Sequence, residues 1–457
     1  MSNEEKRRYK SFFTSEGSLG AFRSRAQISA ERALAHQCGC AAWLTFFPCG
    51  TAFAAHDWRV DGSSALNGTL SFESTIPDTE KNEYGMIPAS WTQNDGDAKG
   101  RVALTGVIPD TPVNIFGALV ESGKGNAYES SVSLTGGSFL SGSITGGAVM
   151  HGSTGNAYAN TVTIEDSSVK GWVADGVVYD SLGNAYDNAV SISGASTISI
   201  FPGGFGGVYG GHVRGTLGKA DRNAVTMSGG IMGGPVYGGL VEYSAWSPVN
   251  LVSVAESDPA ELSPEPLDVT ADNNTVALSG VGVEISTDTL SGAGEKRDGI
   301  FGGCVRISEI YPGINVSADT NATALSHVSA SGARVYGGLI ESGFAYLYPV
   351  RSSGSSDSVL SSVSLSASGN SVFLEQSSTG DVYGGTIRTG GQTYAYSRFQ
   401  RSAVAPEFAI MPPPTVFTAH ADGNTVGIAD SSAVSGDVHG GLIEYGMSGS
   451  VMELLFS

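Results

Sequence analysis

The sequence predicts an all-β fold, a parallel β-helix (β-solenoid) of about nine coils with lateral loop insertions. Three observations predict it: a recurring element Ala-x-x-Asn-x-Val-x-apolar, a second recurring element Val-Tyr-Gly-Gly-x-Val/Ile, and a composition that disfavours helices. A repeat with two short strands cannot bury its own apolar face, so its copies must stack on one another.

The composition favours many short strands joined by turns. Among 457 residues 64 are Gly, and each Gly costs a helix about 1 kcal/mol relative to Ala. The chain is too apolar to be disordered, because 40% of its residues are hydrophobic. Its formal net charge of −20 argues against a nucleic-acid partner, since phosphate binding needs clustered Lys and Arg. We interpret the acidic surface as a source of solubility.

The first element reads as a strand with one buried face, because Val-x-Leu alternates with period two. A copy with Ser130 in the Asn place and weaker copies at Val102/Leu104 and Val328/Ala330 extend the series. The recurring Asn has two open interpretations, a left-handed turn residue before the strand or an amide that pairs with the Asn of the next coil. The Asn copies are Asn160, Asn188, Asn223, Asn274, Asn370 and Asn424.

The second element contains two aliphatic residues that are five positions apart, such as Val236 and Val241. A straight strand would point them to opposite faces, so we predict a corner or bulge at the Gly pair that turns both inward. A copy expected near Val177 is degenerate. The clear copies begin at Val208, Val236, Ile300, Val335, Val382 and Val438, and looser ones begin at Ile115 and Ile144.

The position after the second aliphatic residue alternates in charge from one coil to the next. In a parallel, in-register stack these side chains lie about 4.8 Å apart, so opposite charges meet. Each exposed pair is worth a few tenths of a kcal/mol, roughly. The series is Arg214, Glu242, Arg306, Glu341, Arg388 and Glu444.

Residues 1–54 are predicted to be an extended signal peptide, removed by cleavage between Ala54 and Ala55. A basic region precedes an apolar run at residues 40–47, and Ala52-Phe53-Ala54 is a small-x-small cleavage signal. The alternative is a buried helix at the start of a cytosolic domain. Cleavage would leave Cys304 alone, so the mature chain would form no internal disulfide. No later segment is apolar enough to span a membrane.

The remaining chain divides into an N-terminal cap at residues 55–97, the β-solenoid repeat region at 98–446 and a C-terminal tail at 447–457. The cap is expected because the end of a solenoid exposes unpaired strand edges. Insertions within the solenoid must leave its side as loops. Such loops are either binding surfaces or neutral decoration.

The long basic signal with the Asn-x-Val-x-Leu/Ile and Val-Tyr-Gly-Gly repeats resembles the passenger region of bacterial autotransporters over roughly residues 98–446. The resemblance implies a passenger domain exported by a Gram-negative bacterium and displayed at the outer membrane, often for adhesion. Its partners would be export and outer-membrane assembly machinery and a glycan or protein on a host or neighbouring cell. The family also carries a C-terminal membrane β-barrel, and no barrel-like strands follow the last repeat here. The tail is therefore expected to be a truncation point, or display uses another route.

No catalytic, cofactor or metal site is expected from the sequence. Residues 203–211 are rich in Gly but lack the Lys-Ser/Thr ending of a phosphate loop, and no Gly-x-Ser-x-Gly motif occurs. The enzyme alternative, a polysaccharide lyase or hydrolase on a β-helix, would need carboxylates, or a carboxylate with Arg or Lys, that converge on one groove. Candidate carboxylates such as Asp272, Asp298 and Asp381 are not clustered in the sequence.

The binding hypothesis rests on an aromatic ladder in the second element. If these rings point outward they can stack on sugars, and otherwise they only cover the shaft. The ladder residues are Tyr209, Tyr237, Tyr336 and Tyr383.

Overall fold

The computed structural model describes residues 57–61, 86–92, 96–108, 114–199, 207–243, 267–284, 299–310, 314–345, 362–389, 416–445 and 455–456. Within these ranges the protein contains strands and no helix, and parallel strands stack in coil order. The fold is therefore a parallel β-helix, as the sequence predicts. The predicted signal peptide and its cleavage site at Ala54 and Ala55 lie outside the described residues.

The first sequence element forms a ten-stranded parallel sheet, here called the Asn-strand sheet. Its side chains alternate between the core and solvent: Val162 and Ile164 are fully buried, whereas Thr161 and Thr163 are exposed. In stacking order its strands are β1 (Asp57–Asp61), β3 (Arg101–Thr105), β6 (Ser131–Thr135), β10 (Thr161–Glu165), β14 (Ala189–Ser193), β18 (Ala224–Ser228), β22 (Thr275–Ser279), β26 (Ala322–Ser326), β29 (Ser371–Glu375) and β33 (Thr425–Ala429).

The second sequence element forms another ten-stranded parallel sheet, the Gly-strand sheet. The first rung of both long sheets comes from the segment that the sequence assigns to the N-terminal cap. The strands are β2 (Met86–Thr92), β4 (Asn114–Val120), β8 (Ile144–Met150), β12 (Val173–Tyr179), β16 (Val208–Arg214), β20 (Val236–Tyr243), β24 (Gly299–Ile310), β27 (Arg334–Ala345), β31 (Val382–Thr389) and β35 (Val438–Tyr445).

Short strands complete each coil. Those between an Asn strand and the following Gly strand are β7 (Phe139–Ser141), β11 (Ser168–Lys170), β15 (Thr197–Ser199), β19 (Ile231–Gly233), β23 (Gly282–Glu284), β30 (Ser378–Thr379) and β34 (Ala433–Val434). Those between a Gly strand and the next Asn strand are β5 (Ala127–Tyr128), β9 (Ala157–Tyr158), β13 (Ala185–Tyr186) and β17 (Ala220–Asp221), and in later coils β21 (Leu267–Thr270), β25 (Ile314–Ser317), β28 (Ser362–Ser366) and β32 (Val416–His420). Strand β36 (Leu455–Phe456) follows the last Gly strand and pairs with β32.

The change in side-chain direction that was predicted at the Gly pair, which turns both aliphatic residues inward, is confirmed. Val208 and Val213 are both fully buried although five positions separate them, and they belong to two different apolar clusters of the interior. The change occurs inside a strand and not at a corner, because β16 pairs with β20 on both sides of the glycines. Gly211 faces the side chain of Asn223, and a Cβ at Gly211 would lie 2.3 Å from the Asn223 Nδ2. The interior therefore has two apolar lobes that meet where the glycines contact the Asn column.

The Asn column is an amide ladder, which decides between the two interpretations of the recurring Asn. Asn188 donates its backbone N–H and its Nδ2 to Asn223 Oδ1, at 3.1 and 2.9 Å. The left-handed conformation belongs instead to the preceding residue, with φ of 57° at Asp187 and 53° at Ala159. The buried ladder comprises Asn160, Asn188, Asn223, Asn274, Asn321 and Asn370.

The weak copy of the first element predicted at Val328/Ala330 is wrong. The strand of that coil is β26, and Asn321 occupies the ladder position. Thr323 stands in the Val place, where it pairs in register with Val276. Its buried hydroxyl donates to the Tyr336 carbonyl at 2.8 Å, so the core tolerates a polar residue there. Because Thr replaces Val here, the sequence pattern does not reveal this copy of the first element.

The close contact at the glycines predicts a position-dependent cost of adding one methyl group. A Cβ at Gly210 would lie 2.5 Å from the Gly238 carbonyl oxygen and 3.0 Å from the Asn223 Cβ. We expect Gly210→Ala to destabilise the fold by about 1–3 kcal/mol through overpacking. Thermal unfolding followed by circular dichroism measures the effect.

The matched control is Gly440→Ala, in the same column of the last coil. There the nearest atom to an added Cβ is the Asn424 carbonyl oxygen, at 3.6 Å. This variant should melt close to the parent protein. Equal losses in the two variants would contradict the contact as the cause.

Candidate functional site

The four tyrosines predicted as an aromatic ladder do lie in one stacked column on the Gly-strand sheet. Tyr209 stacks on Tyr237 at 5.3 Å between ring centroids, and Tyr336 stacks on Tyr383 at 4.8 Å. Phe301 joins the two halves, at 4.6 Å from Tyr237 and 5.0 Å from Tyr336. The five rings are only 1–7% exposed. Their faces are occupied by one another, so the column offers no free ring face to a sugar.

The alternating charges form the continuous ion-pair column that the sequence predicts. Arg306 Nε lies 2.8 Å from Glu341 Oε2, and Arg388 Nε lies 2.6 Å from Glu444 Oε2. The arginines also reach the tyrosine column, since Arg306 Nη1 donates to the Tyr237 hydroxyl at 2.8 Å. Burial raises the pKa of Tyr237, so this hydroxyl stays neutral. Ion pairs and aromatic rings thus form one network along this sheet.

A second aromatic column, which the sequence reading missed, is accessible to solvent. Tyr128, Tyr158 and Tyr186 stack at 5.5 and 5.1 Å and are half-buried. Each belongs to a Gly-Asn-Ala-Tyr tetrapeptide that recurs without change at 125–128, 155–158 and 183–186. The three identical tetrapeptides are the sequence feature from which this column could have been predicted. The Ala of each copy is buried while the Tyr beside it faces outward, as strand alternation requires.

Cations close both ends of this column. Lys99 Nζ lies 5.5 Å from the Tyr128 ring centroid, and Arg222 Cζ lies 5.4 Å from that of Tyr186. Arg222 also binds Asp187 through two hydrogen bonds of 2.7 and 2.9 Å. Because neighbouring rings and cations cover the ring faces, the column presents ring edges and a row of phenol hydroxyls.

The same column becomes acidic further along the shaft, because Tyr186 pairs in register with Asp221. Asp221 Oδ1 accepts the Asp272 backbone N–H at 2.9 Å, and Asp272 Oδ1 accepts that of Asp319 at 2.7 Å. Burial raises the pKa of Asp272 to about 6, and the charges of Asp221 and Asp319 add to this effect. Hydrogen bonds from Asp319 and Ser317 oppose it. One outer column is therefore aromatic in the early coils and acidic in the later ones.

A shallow groove of about 390 Å³ crosses the outer face of the Asn-strand sheet. Small side chains such as Ser191, Thr226 and Ala277 line its floor, and Phe373 stands at one end with 47% of its surface exposed. Glu375 also lines the groove, and its carboxylate accepts a hydrogen bond from Ser326.

The degenerate second element near Val177 is strand β12, and Asp175 stands there in place of the first glycine. Its side chain is fully buried, and Oδ2 accepts the Ala189 backbone N–H. Burial raises the pKa of Asp175 well above its usual value, so the group is held as a neutral acid. A buried acid in place of a glycine, which has no side chain, explains why the repeat is hard to recognise in this coil.

The carboxylates considered for catalysis do not converge among the described residues. Asp272 precedes an Asn strand, whereas Asp381 precedes a Gly strand and lies 3.4 Å from Arg334. Asp298 lies outside the described residues. The described part of the chain also contains no group of three or more His, Cys, Asp or Glu placed to hold a metal ion. None of the residues described forms a helix long and apolar enough to cross a membrane.

Comparison of the chain with protein-family models, with curated proteins and with solved structures finds no match.

The half-buried Asp272 makes the stability of the later coils depend on pH. Its folded-state pKa of about 6 lies above the ordinary value of 3.8, so stability decreases as the pH rises through this interval. Asp272→Asn removes the charge and keeps an acceptor for the Asp319 N–H. We expect it to stabilise the protein by roughly 1–3 kcal/mol above the folded pKa and to have little effect below the ordinary one.

Thermal unfolding at about pH 4 and about pH 7.5 measures this difference. Asp430→Asn is the control, because Asp430 is exposed and already adopts a left-handed backbone that Asn tolerates. An equal stabilisation of Asp272→Asn at both pH values would contradict a titrating carboxyl as its origin.

Proposed function

We propose that this protein is an exported, cell-surface shaft that acts by binding and not by catalysis, like the adhesion-type autotransporter passengers that its repeats resemble. The observation that carries the proposal is the accessible tyrosine column, Tyr128, Tyr158 and Tyr186, closed by Lys99 and Arg222. Aromatic and Arg side chains dominate the energetics of protein interfaces, and here they are fixed on a frame of stacked strands.

The direction of the rings indicates the kind of contact. Stacked rings expose their edges and hydroxyls, which suit hydrogen bonding to a polar partner better than stacking on a sugar ring. Burial raises the pKa of Tyr158 and of Tyr186, so the hydroxyls are neutral donors. We propose a glycan or protein of a host or neighbouring cell as the partner, contacted along the edge of the column.

The alternative of a polysaccharide-cleaving enzyme is less well supported. Such an enzyme needs an acid and a second charged group in one groove. The groove on the Asn-strand sheet contributes one carboxylate, Glu375. Of the two acids described above with a raised pKa, Asp175 is fully buried, and Asp272 accepts hydrogen bonds from the next coil at both oxygens. We therefore propose a binding protein without a catalytic centre or cofactor.

Display at the outer membrane of a Gram-negative bacterium is part of the same proposal. It requires removal of a signal peptide between Ala54 and Ala55, followed by outer-membrane assembly of the exported chain. Expression in a Gram-negative host with N-terminal sequencing of the exported product tests the cleavage. A product that retains residues 1–54 inside the cell would contradict export.

The binding function is tested on cells and on glycan arrays with two triple variants of the tyrosine column. Replacing Tyr128, Tyr158 and Tyr186 by Phe keeps the stacked rings and removes the hydroxyls, whereas Ser also removes the rings. We expect retention on target cells to fall at least about tenfold in the Ser variant, since truncating an interface aromatic typically costs more than 1 kcal/mol. The Phe variant should lose only the part of this retention that the tyrosine hydroxyls contribute.

The control is Leu182→Ser, an exposed residue near the column that forms no part of it. Melting temperatures establish that each variant is folded. Unchanged retention of both tyrosine variants would contradict the column as the contact surface.

A further inference from the structure

One outer face of the shaft carries no charged side chain over four successive coils. The residues that point outward from strands β14, β18, β22 and β26 of the Asn-strand sheet are all Ala, Ser or Thr. The whole chain, by contrast, has a formal net charge of −20. Another surface can therefore approach this face without removing a charged group from water.

The shallow groove of the Asn-strand sheet lies on this face. Its central column has one residue per coil, and these residues pair in register: Ser191, Thr226, Ala277, Ala324 and Phe373. The first four are small, whereas the ring of Phe373 is 47% exposed at one end of the groove. The face therefore combines an exposed aromatic ring with a hollow of small side chains beside it.

The chain connections keep this face apart from the insertions. From β6 to β33, each Asn strand is joined to the strands before and after it by described residues. Each stretch between residues 109 and 415 that lies outside the described residues begins or ends beside a Gly strand instead. Thr226, Ala277 and Ala324 are exposed, whereas Tyr237, which points outward from the Gly-strand sheet, is only 1% exposed. The groove thus belongs to the open side of the described shaft.

The face is complementary to a second copy of itself. The groove extends two coils to each side of β22, from Ser191 on β14 to Phe373 on β29. A two-fold axis that runs along β22, between two facing copies, makes the shafts antiparallel. It places Phe373 of each copy at the Ser191 end of the other copy's groove, and Ala277 opposite its own counterpart. Parallel shafts would instead press Phe373 against Phe373 and hold the faces apart.

The charges on the face fit the same arrangement. Glu165 and Glu375 are the charged residues among the outward positions of β10 to β33. The two-fold axis sets Glu165 opposite Ala429 and Glu375 opposite Ser193, so no carboxylate meets another. The two copies still repel each other through their net charge, and salt screens this repulsion. Association should therefore strengthen as the salt concentration rises.

The size of the face suffices for a weak dimer. Seven strands, β10 to β33, overlap in this arrangement. With about 4.8 Å between strands and about 3.3 Å per residue, they cover roughly 550 Å² per copy. The total of about 1,100 Å² is close to the lower limit of about 1,000 Å² for specific interfaces. In an interface of this kind a few buried aromatic residues supply most of the binding energy.

We propose that two copies of this chain associate through the outer face of the Asn-strand sheet, with antiparallel shafts and with Phe373 of each copy seated in the groove of the other. The interface is isologous, because both copies contribute the same ring and the same hollow. The strands of the accessible tyrosine column belong to another sheet. The dimer therefore holds whether or not that column binds a partner.

Sedimentation velocity of the full chain measures the association. We expect the dimer fraction to rise with the protein concentration and with the salt concentration. Phe373→Ser should weaken dimerisation at least about tenfold, because it truncates an interface aromatic in both copies. The matched control is Ile231→Ser, which removes a similarly exposed apolar side chain from β19, on another sheet. This control should dimerise like the parent chain.

Crosslinking tests the orientation of the two copies. In the Ala277→Cys variant the two new thiols face each other across the axis, so a short bismaleimide should link two chains. Mass spectrometry of the linked peptides should locate the link at position 277, and the parent chain gives the background from its own cysteines. In the Thr163→Cys variant the new thiols lie about 29 Å apart along the shaft, which is beyond the reach of such a linker.

Melting temperatures verify that each variant is folded. A dimer that Phe373→Ser leaves unchanged, or equal crosslinking of the Ala277→Cys and Thr163→Cys variants, would overturn the proposal. A monomer at every protein and salt concentration would overturn it as well, and would leave the groove to a partner of another kind, such as a glycan.

Discussion

The structure depends on one contact, the buried amide ladder against the glycine pair. From Asn188 to Asn370, each ladder Asn accepts two hydrogen bonds at Oδ1 from the coil before it, as Asn223 does from Asn188. In Asn160, Asn188 and Asn223 the Nδ2 also donates back to a main-chain carbonyl, as in the bond from Asn188 to Ala157. No other polar side chain of this size can both donate to and accept from a copy of itself while staying neutral. The Gly strand that faces the ladder Asn has no room for side chains at this position. Two glycines therefore recur in every clear copy of the second element.

Stacking in register makes every residue a neighbour of its own counterpart one coil away. Uncharged columns such as Asn or Tyr can repeat without penalty, and they do. A charged column must alternate in sign, as Arg306 and Glu341 show, or neutralise part of its charge, as the raised pKa of Asp272 shows. The outer surface is therefore a set of stripes along the shaft axis. Each stripe avoids repulsion between like charges in one of these ways.

Much of the fold could be predicted from the sequence, because repetition reveals what each position must do. The inward turn at the glycines followed from the five-residue spacing alone, and the ion-pair column followed from alternating signs. Thr323 escaped notice because a hydroxyl can replace an aliphatic group once a carbonyl is within reach, which the pattern cannot show. The sequence left open whether Tyr237 is accessible or only covers the shaft, since alternation gives the direction of a side chain and not what lies over it. The accessible stripe was overlooked because its Tyr shares a short strand with a buried Ala.

The amide ladder is interrupted near the amino end of the described shaft, where Ser130 stands in the Asn column and Gly100 precedes it. Gly100 donates to the Ser130 hydroxyl at 3.1 Å, a single bond, whereas each step from Asn160 to Asn370 has two. The last step of the column, from Asn370 to Asn424 Oδ1, again has one such bond, at 2.9 Å. Cohesion between coils is thus graded along the axis. A tensile load would separate the coils at the two ends of the Asn column before the amide-bearing middle, so the shaft is mechanically strongest at its centre.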